Sequence, residues 1–324
     1  MAMPRWVEPQ LATLTRERFS SPAWIFERKL DGERCLAFAS AAGTRLMSRS
    51  QRDITGTFPE IAEALDAQRR GDVVVDGEIV AFAGDQTRFG RLQQRLGVAH
   101  PQKSLLRAVP VYYYVFDLMY AEGRDTRSLP QRERKERLET ALGFDDPIRY
   151  TEHRDRDGER LSEQACRDGW EGLIAKRADA VYRGRRSRDW LKFKCENAQE
   201  FVIGGYTDPQ RSRVGFGALL LGYYDGDRNL VYAGKVGTGF DNKLLRSLQE
   251  RLASLERDDP PFSPRAGNLP ARRGVHWVEP RLVGQVGFSE WTDDGQLRHP
   301  RFQGLRDDKR PADVVRETPT EKRI

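Results

Sequence analysis

The chain has 324 residues, long enough for two domains and at least one sizeable core. Its composition, 38% hydrophobic, 10% aromatic and 32% charged, is that of a globular chain with a wet surface and excludes a disordered one. A formal charge of +6, from 55 Lys and Arg against 49 Asp and Glu, admits an anionic partner without requiring one.

In chain order, Met1 to Gln10 lacks the charged and apolar regions of a signal peptide. Trp24 to Phe38 carries apolar residues on both sides of Lys29-Leu30-Asp31-Gly32, which predicts two strands joined by a hairpin or tight turn. Phe58 to Gln68 has Ile61, Ala64 and Leu65 at helical spacing. Val73 to Phe82 repeats the first pattern around Asp76-Gly77. Val111 to Tyr120 is β-branched and aromatic, as in a buried strand. Pro130 to Leu142 opens on Pro and is rich in helix formers, and its mostly alternating charges predict an exposed helix. After Lys194 the rhythm changes. Phe201 to Tyr224, Leu230 to Val236 and Val275 to Trp291 read as short strands broken by Gly and Asp-Gly turns, with a helix at Leu244 to Leu255, as in a small β-barrel. Asp258 to Gly274, with four prolines, reads as a loop, and the chain from Pro311 onward as a polar tail. Val111 to Phe116 and Ala218 to Tyr224 are only strand-sized, so no membrane association is expected. Cys35, Cys166 and Cys195, odd in number and far apart, predict a reducing compartment, the cytosol, and no disulfide framework. There is no CxxC pair and the four histidines are scattered, which argues against structural zinc.

Taken alone, Lys29-x-Asp31-Gly32 reads as a turn. It is followed in order by Ser48-Arg49, Asp76-Gly77-Glu78, Phe116-Asp117, Glu171-Gly172-Leu173-Ile174-Ala175-Lys176, Trp190-Leu191-Lys192-Phe193-Lys194 and Arg306-Asp307-Asp308-Lys309. The series resembles the motifs of the covalent nucleotidyltransferase superfamily, and within it ATP-dependent DNA ligases, most closely the ligase domain of bacterial end-joining ligases of the ligase D type. The resemblance runs from about Trp6 to about Val315. It implies an α+β fold: a nucleotidyltransferase domain of ATP-grasp-like antiparallel sheets with helices over residues 1–197, a C-terminal OB-fold β-barrel over 198–315, and a polar tail from 316.

By this resemblance Lys29 is the nucleophile that takes AMP from ATP, in keeping with the chemistry of a lysine amine. Partial burial and nearby cations, Lys192 and Lys194, are expected to favour its neutral form. Alternation along a strand puts those two lysines on one face, where the resemblance assigns them to the nucleotide phosphates. Glu171 matches the metal-binding acid, for Mg²⁺ or Mn²⁺, and Glu78 the acid that contacts the ribose and assists with metal. Glu27 matches the residue at the adenine edge, Phe116 the aromatic stacked on the base and Ile174 its aliphatic cover. As residues alone, Phe116 and Ile174 read equally as core. Asp31 is expected mainly to shape the turn that presents Lys29. Arg34 and Arg49 match residues on the nucleotide and on the 5′-phosphate of the nicked strand, a role that suits the guanidinium fork. Arg183, Arg185, Arg186, Arg188, Lys192 and Lys194 enclose a single acid, Asp189, and fit a phosphate-lined groove, which Arg211 and Arg213 extend. Arg306 and Lys309 match the final motif, which orients the pyrophosphate leaving group in the first step. Arg298-His299-Pro300-Arg301-Phe302-Gln303-Gly304-Leu305 before it resembles the end-joining branch.

The implied reaction has three steps: lysyl-AMP formation, transfer of AMP to the 5′-phosphate of a DNA nick or break, and sealing by the 3′-hydroxyl. Implied partners are nicked or broken duplex DNA, and in the end-joining setting Ku and polymerase or nuclease modules, with the chain acting as a monomer. An RNA ligase, an mRNA capping guanylyltransferase and a non-catalytic OB-fold nucleic-acid-binding protein share parts of the pattern.

Overall fold

The computed structural model describes residues 2–209, 213–263, 269 and 273–319. Arg211, expected to extend the basic surface, lies outside them, as do residues 320–324 of the polar tail. The chain divides into two compact units, with Met1–Cys195 as the body of the first and Glu196–Glu317 as the second.

The first unit opens with β1 (Leu11–Leu14), β2 (Trp24–Arg28), β3 (Glu33–Ser40) and β4 (Gly43–Ser48). Next come α1 (Pro59–Gln68), β5 (Val73–Ala83), β6 (Gln86–Thr87), α2 (Phe89–Leu92), α3 (Lys103–Ala108), β7 (Val111–Ala121) and β8 (Arg124–Asp125). The unit closes with α4 (Gln131–Ala141), β9 (Ile148–Tyr150), β10 (His153–Asp155), α5 (Gly158–Arg167), β11 (Gly172–Arg177) and β12 (Arg186–Lys194). One sheet has the order β4-β3-β5-β7-β8, with β6 on β5 and β9 on β7; the other runs β1-β12-β11-β2-β10. Pairing is antiparallel except for β1 with β12 and β7 with β9.

Period-2 alternation lets each sheet bury both faces. On the first, Cys35, Ala37, Val75, Val115 and their neighbours pack against Ile61 and Leu65 of α1 and Leu138 of α4. Its other face, with Leu36, Phe38, Val74 and Phe116, meets Trp190 of the second sheet. On the second sheet Phe26, Leu173, Ala175, Leu191 and Phe193 pack with Ala165 of α5. The alternate residues, Glu27, Ile174, Lys176, Trp190 and Lys192, therefore lie on the face between the sheets.

Four sequence expectations are corrected. Strands β2 and β3 do not form a hairpin, because they belong to different sheets and the Lys29–Gly32 turn crosses between them. Asp76-Gly77 is not a turn: β5 runs through it, with a register irregularity against β7 at that point. Helix α4 is not simply exposed, since Gln131, Arg134, Lys135 and Leu138 are buried, their charges met by carboxylates from the sheets. Cys166 and Cys195 form a disulfide, Cα to Cα 5.2 Å, because the packing of α5 on β11 brings the helix end beside the residue after β12. Sequence separation cannot show that proximity. Cys35 is a buried thiol, pushed well up by desolvation.

The second unit contains β13 (Asn197–Thr207), β14 (Leu219–Tyr224), β15 (Leu230–Val236), α6 (Asn242–Ala253), β16 (Glu256–Arg257), β17 (Val275–Phe288), β18 (Glu290–Trp291), β19 (Leu297–Arg298) and β20 (Arg301–Leu305). Its main sheet has the order β15-β14-β13-β17-β16, with β20 also on β17. Asp241 caps α6 by accepting a hydrogen bond from the Leu244 amide at 2.7 Å, and Leu245, Leu248 and Leu252 face the core. Among the described residues no helix is long and apolar enough to cross a membrane.

Candidate active site

Lys29 stands at the crossing between the two sheets of the first unit. Its amide donates to Gly172 O at 2.9 Å, fixing the end of β2 against the start of β11. That approach requires glycine at 172: its φ is +144°, and a Cβ there would sit 1.8 Å from Phe193 O. Asp31 secures the other side of the turn, its Oδ2 accepting from the Phe89 amide at 2.9 Å and its own amide donating to Thr87 Oγ1 at 3.2 Å.

The Lys29 ammonium lies 2.5 Å from Glu171 Oε2, with both side chains about a fifth exposed. Burial lowers the lysine pKa, but Glu171, Glu78 and Asp31 outweigh it and the net shift is upward. This corrects the expectation of a neutral amine: three carboxylates hold the proton on. Burial likewise raises the Glu171 carboxyl, but Lys29, Lys194 and Lys192 overcome it and bring it below its usual range. Lys194 pairs with Gly172 and Lys192 with Ile174 across β11 and β12, so both lysines lie on the face of Ile174, and both act on Glu171 at the head of β11. Lys29, Glu78, Glu171, Lys192 and Lys194 thus share one electrostatic neighbourhood.

Glu27, expected at the adenine edge, is a buried anion held by two buried lysines, Lys176 Nζ at 2.6 Å and Lys135 Nζ at 3.0 Å. It pairs with Ile174 across β2 and β11. Phe116 is 9% exposed and meets Trp190 edge-on at 6.0 Å. Its ring carries two cations, Lys176 Nζ at 4.4 Å and the Arg34 guanidinium at 4.7 Å from the centroid. Arg34, expected on the nucleotide, gives two nitrogens to buried Asp76: Nε to Oδ1 and Nη2 to Oδ2, both 2.5 Å. Tyr182 donates its hydroxyl to the same Asp76 at 2.7 Å. Arg49 lies in the turn after β4 that the Ser48 amide closes on Arg52 O at 2.9 Å.

In the second unit, Arg306 and Lys309 occupy one turn, closed by the Lys309 amide on Arg306 O at 3.0 Å. Arg306 makes a two-bond fork with Asp308, each bond 2.8 Å, and lies 3.7 Å from Glu200 Oε1. Lys309 Nζ lies 3.4 Å from that same oxygen. Arg213 donates to Gly237 O at 2.8 Å.

Sequence reasoning gave no role to Asp76, Lys176, Lys135 or Glu200. The signal for the first two was present, since Asp76 and Lys176 stand inside the quoted motifs; Lys135 and Glu200 carry none, because their partners are distant in the chain. The site fits a divalent cation of the magnesium type. No cluster of three or more His, Cys, Asp or Glu that could hold a metal occurs among the described residues, whereas Mg²⁺ is commonly held by one or two carboxylates and completed by phosphate oxygens and water. Glu171 and Glu78, which both act on Lys29, are carboxylates of that kind.

Two family models match the chain: the ATP dependent DNA ligase domain over residues 9–194, and the ATP dependent DNA ligase C terminal region over residues 212–309. The multifunctional non-homologous end joining protein LigD of Pseudomonas aeruginosa is 40% identical over 324 residues, 98% of this chain and 37% of that protein. The LigD protein of Mycobacterium tuberculosis is 38% identical over 315 residues, 95% of this chain and 40% of that one. The chain therefore spans about two fifths of the length of these relatives. A solved structure of mycobacterial DNA ligase D complexed with ATP and MES aligns with TM-score 0.67 and 37% identity, covering 96% of this chain and 98% of that one. The fold is therefore the α+β ligase arrangement, a nucleotidyltransferase unit followed by an OB-fold.

Proposed function

Because the chain belongs to the ATP-dependent DNA ligase family, we propose that Lys29 takes AMP from ATP, that AMP passes to the 5′-phosphate of a DNA nick or break, and that the 3′-hydroxyl then displaces AMP to seal the strand. The observation that carries this reading is the ion pair of Lys29 with Glu171 at the sheet crossing, beside Lys192 and Lys194.

The amine must lose its proton before it can attack. Burial is the largest influence on Lys29 and favours the neutral form; the carboxylates alone oppose it. When Glu171 turns its charge to another cation, the largest of the influences that oppose burial is withdrawn, which favours loss of the ammonium proton to water and leaves the amine free to attack. Glu171 and Glu78 would hold Mg²⁺ or Mn²⁺, which when bound would neutralise charge on the phosphates. Lys192 and Lys194 reach the α-phosphate side, where positive charge stabilises the developing negative oxygens. The lysine nitrogen forms its bond to the α-phosphorus as the bond to pyrophosphate breaks. In the second unit Arg306 and Lys309 receive the departing pyrophosphate. Glu27 and Phe116 line the base side, and Arg34, carried on Asp76, borders it.

By likeness to the LigD relatives, the substrate in the cell is a broken duplex brought together by end-binding proteins such as Ku and processed by polymerase or nuclease modules. We propose that the chain works in the cytosol as a monomer; the cysteines do not argue for that compartment, since Cys166 and Cys195 are joined in a disulfide, a bond uncommon there.

Covalent labelling tests the core of the proposal. The protein is incubated with α-labelled ATP or GTP and Mg²⁺, after pyrophosphate has stripped any AMP already bound. Label from ATP alone, abolished in Lys29→Ala, is the expected result. Label from GTP would point instead to a capping guanylyltransferase, and no label from either to a binding module.

A further inference from the structure

We propose that Tyr182 is a positioning residue for ATP: with the main chain of Gln10 it fixes Asp76, and through Asp76 it sets the direction of the Arg34 guanidinium; this rests on the place given above to Arg34 and Phe116 at the base side.

Four residues far apart in the chain close a circuit of hydrogen bonds within the first unit. The Gln10 amide donates to the Tyr182 hydroxyl at 2.9 Å, and that hydroxyl donates to Asp76 Oδ2 at 2.7 Å. Asp76 accepts the fork from Arg34, and Arg34 Nη2 also donates to Gln10 O at 3.2 Å, which completes the circuit. Gln10, Asp76 and Tyr182 are all buried.

A fork fixes an arginine relative to its carboxylate but leaves the pair free to swing together about the aspartate torsions. The backbone gives Asp76 incomplete support, because β5 breaks register against β7 between Asp76 and Gly77. Tyr182 braces it from a rigid seat. Its amide donates to Arg127 O at 2.8 Å, its ring meets Trp190 edge-on with centroids 6.0 Å apart, and the Arg134 guanidinium lies 5.6 Å over that ring. Burial and Asp76 push the Tyr182 phenol well above its usual range, so the hydroxyl remains a donor. None of the circuit's bonds uses Nη1 of Arg34. That side chain is 17% exposed and its guanidinium lies over Phe116, so the group is held along its Nε and Nη2 edge and still borders the nucleotide side.

The full chain carrying Tyr182→Phe tests this, because it removes one oxygen and keeps the packing of the ring. After pyrophosphate has stripped any bound AMP, binding of an ATP analogue with an uncleavable α–β bridge is followed by calorimetry. The Kd should rise roughly 10-fold, the scale of one hydrogen bond to a charged group, and the KM for ATP in AMP attachment should rise with it. The single-turnover rate at saturating ATP should stay within about twofold of the unaltered protein's, since only binding is weakened. Calorimetry reports the Kd of the folded chains separately from their number, so partial unfolding would lower the number of sites and leave the Kd alone. In Arg34→Ala the added Tyr182→Phe should raise the Kd no further, because the tyrosine acts through the arginine. An unchanged Kd in Tyr182→Phe, a loss only in the number of sites, or additive rises with Arg34→Ala would overturn the proposal. Should Arg34→Ala alone leave the Kd unchanged, the place of Arg34 beside the nucleotide fails, and should the unaltered protein take no AMP from ATP, the ligase reading itself fails; both outcomes are distinct from a failure of Tyr182.

Discussion

The proton on Lys29 is governed by opposing influences of known sign. Burial favours the neutral amine, and Glu171, Glu78 and Asp31 favour the ammonium. Replacing Glu171 with Gln removes the nearest charge, so the Lys29 pKa should fall below its value in the unaltered protein. Competitive acetylation of Lys29 as a function of pH would measure it; an unchanged profile would mean that Glu171 does not hold the proton. For stability the raised pKa has a definite sign. The ion pair contributes fully below the unfolded lysine pKa, about 10.4, and its contribution is lost as pH rises through the higher folded value. The place of Lys29 at the head of the ordered motifs was legible in the sequence, but its charge state was not. Near Lys29 the chain carries Glu27, Arg28, Asp31, Glu33 and Arg34, whereas Glu171, the strongest of the influences that oppose burial, arrives from the head of β11, far along the chain.

Among the elements, α4 shows where pattern reading reaches its limit. Its run Gln131–Ala141 has so few apolar residues that periodicity predicts a solvated helix. Yet Arg134 forks onto Asp117 of β7 with both side chains wholly buried, Nε to Oδ1 at 2.7 Å, and Lys135 reaches Glu27 of β2. The helix thereby joins strands from both sheets through charge instead of through hydrocarbon. Breaking such a pair strands the remaining ion, so Asp117→Ala should lower stability by about 3–5 kcal/mol, measurable by urea denaturation. A loss near zero would mean that Arg134 finds water or another acceptor. The Asp117 carboxyl is raised by burial but brought lower by Arg134 and Lys176, and the net shift is downward. Its contribution is therefore present above the unfolded carboxyl pKa, about 3.9, and lost as pH falls through the lower folded value. Helices α1 and α6 were legible because burial of one face leaves a period in the sequence, and β7 because its β-branched and aromatic run marks a buried strand. The Asp76-Gly77 pair misled for the converse reason: a local turn signal was overridden by strands pairing on both sides.

Across the whole molecule, a formal charge of +6 understates the local imbalance. Arg183, Arg185, Arg186 and Arg188 are all exposed, with Arg183 paired to Asp189 at 2.7 Å. Affinity of the full chain for nicked duplex DNA should fall linearly on a log–log plot against salt, with a slope of about −0.9 for each phosphate neutralised. An affinity indifferent to salt would remove the basic-groove reading. The ordered motifs made the family legible, while the ionic contacts around the motif residues depend on strands brought together only by folding. The parallel pairing of β1 with β12 carries a further consequence, for synthesis on the ribosome. All strands of the seven-stranded sheet have been synthesised once residue 150 is added, but β1 waits for its neighbour until Lys194 has been added. The strand leading to Lys29 can pair with β10 once residue 155 is made, but its other neighbour, β11, is complete only at Arg177. The nascent chain can therefore complete the sheet that bears Glu78 well before the one that anchors Lys29, and that lysine is set in place only when the whole first unit has left the exit tunnel.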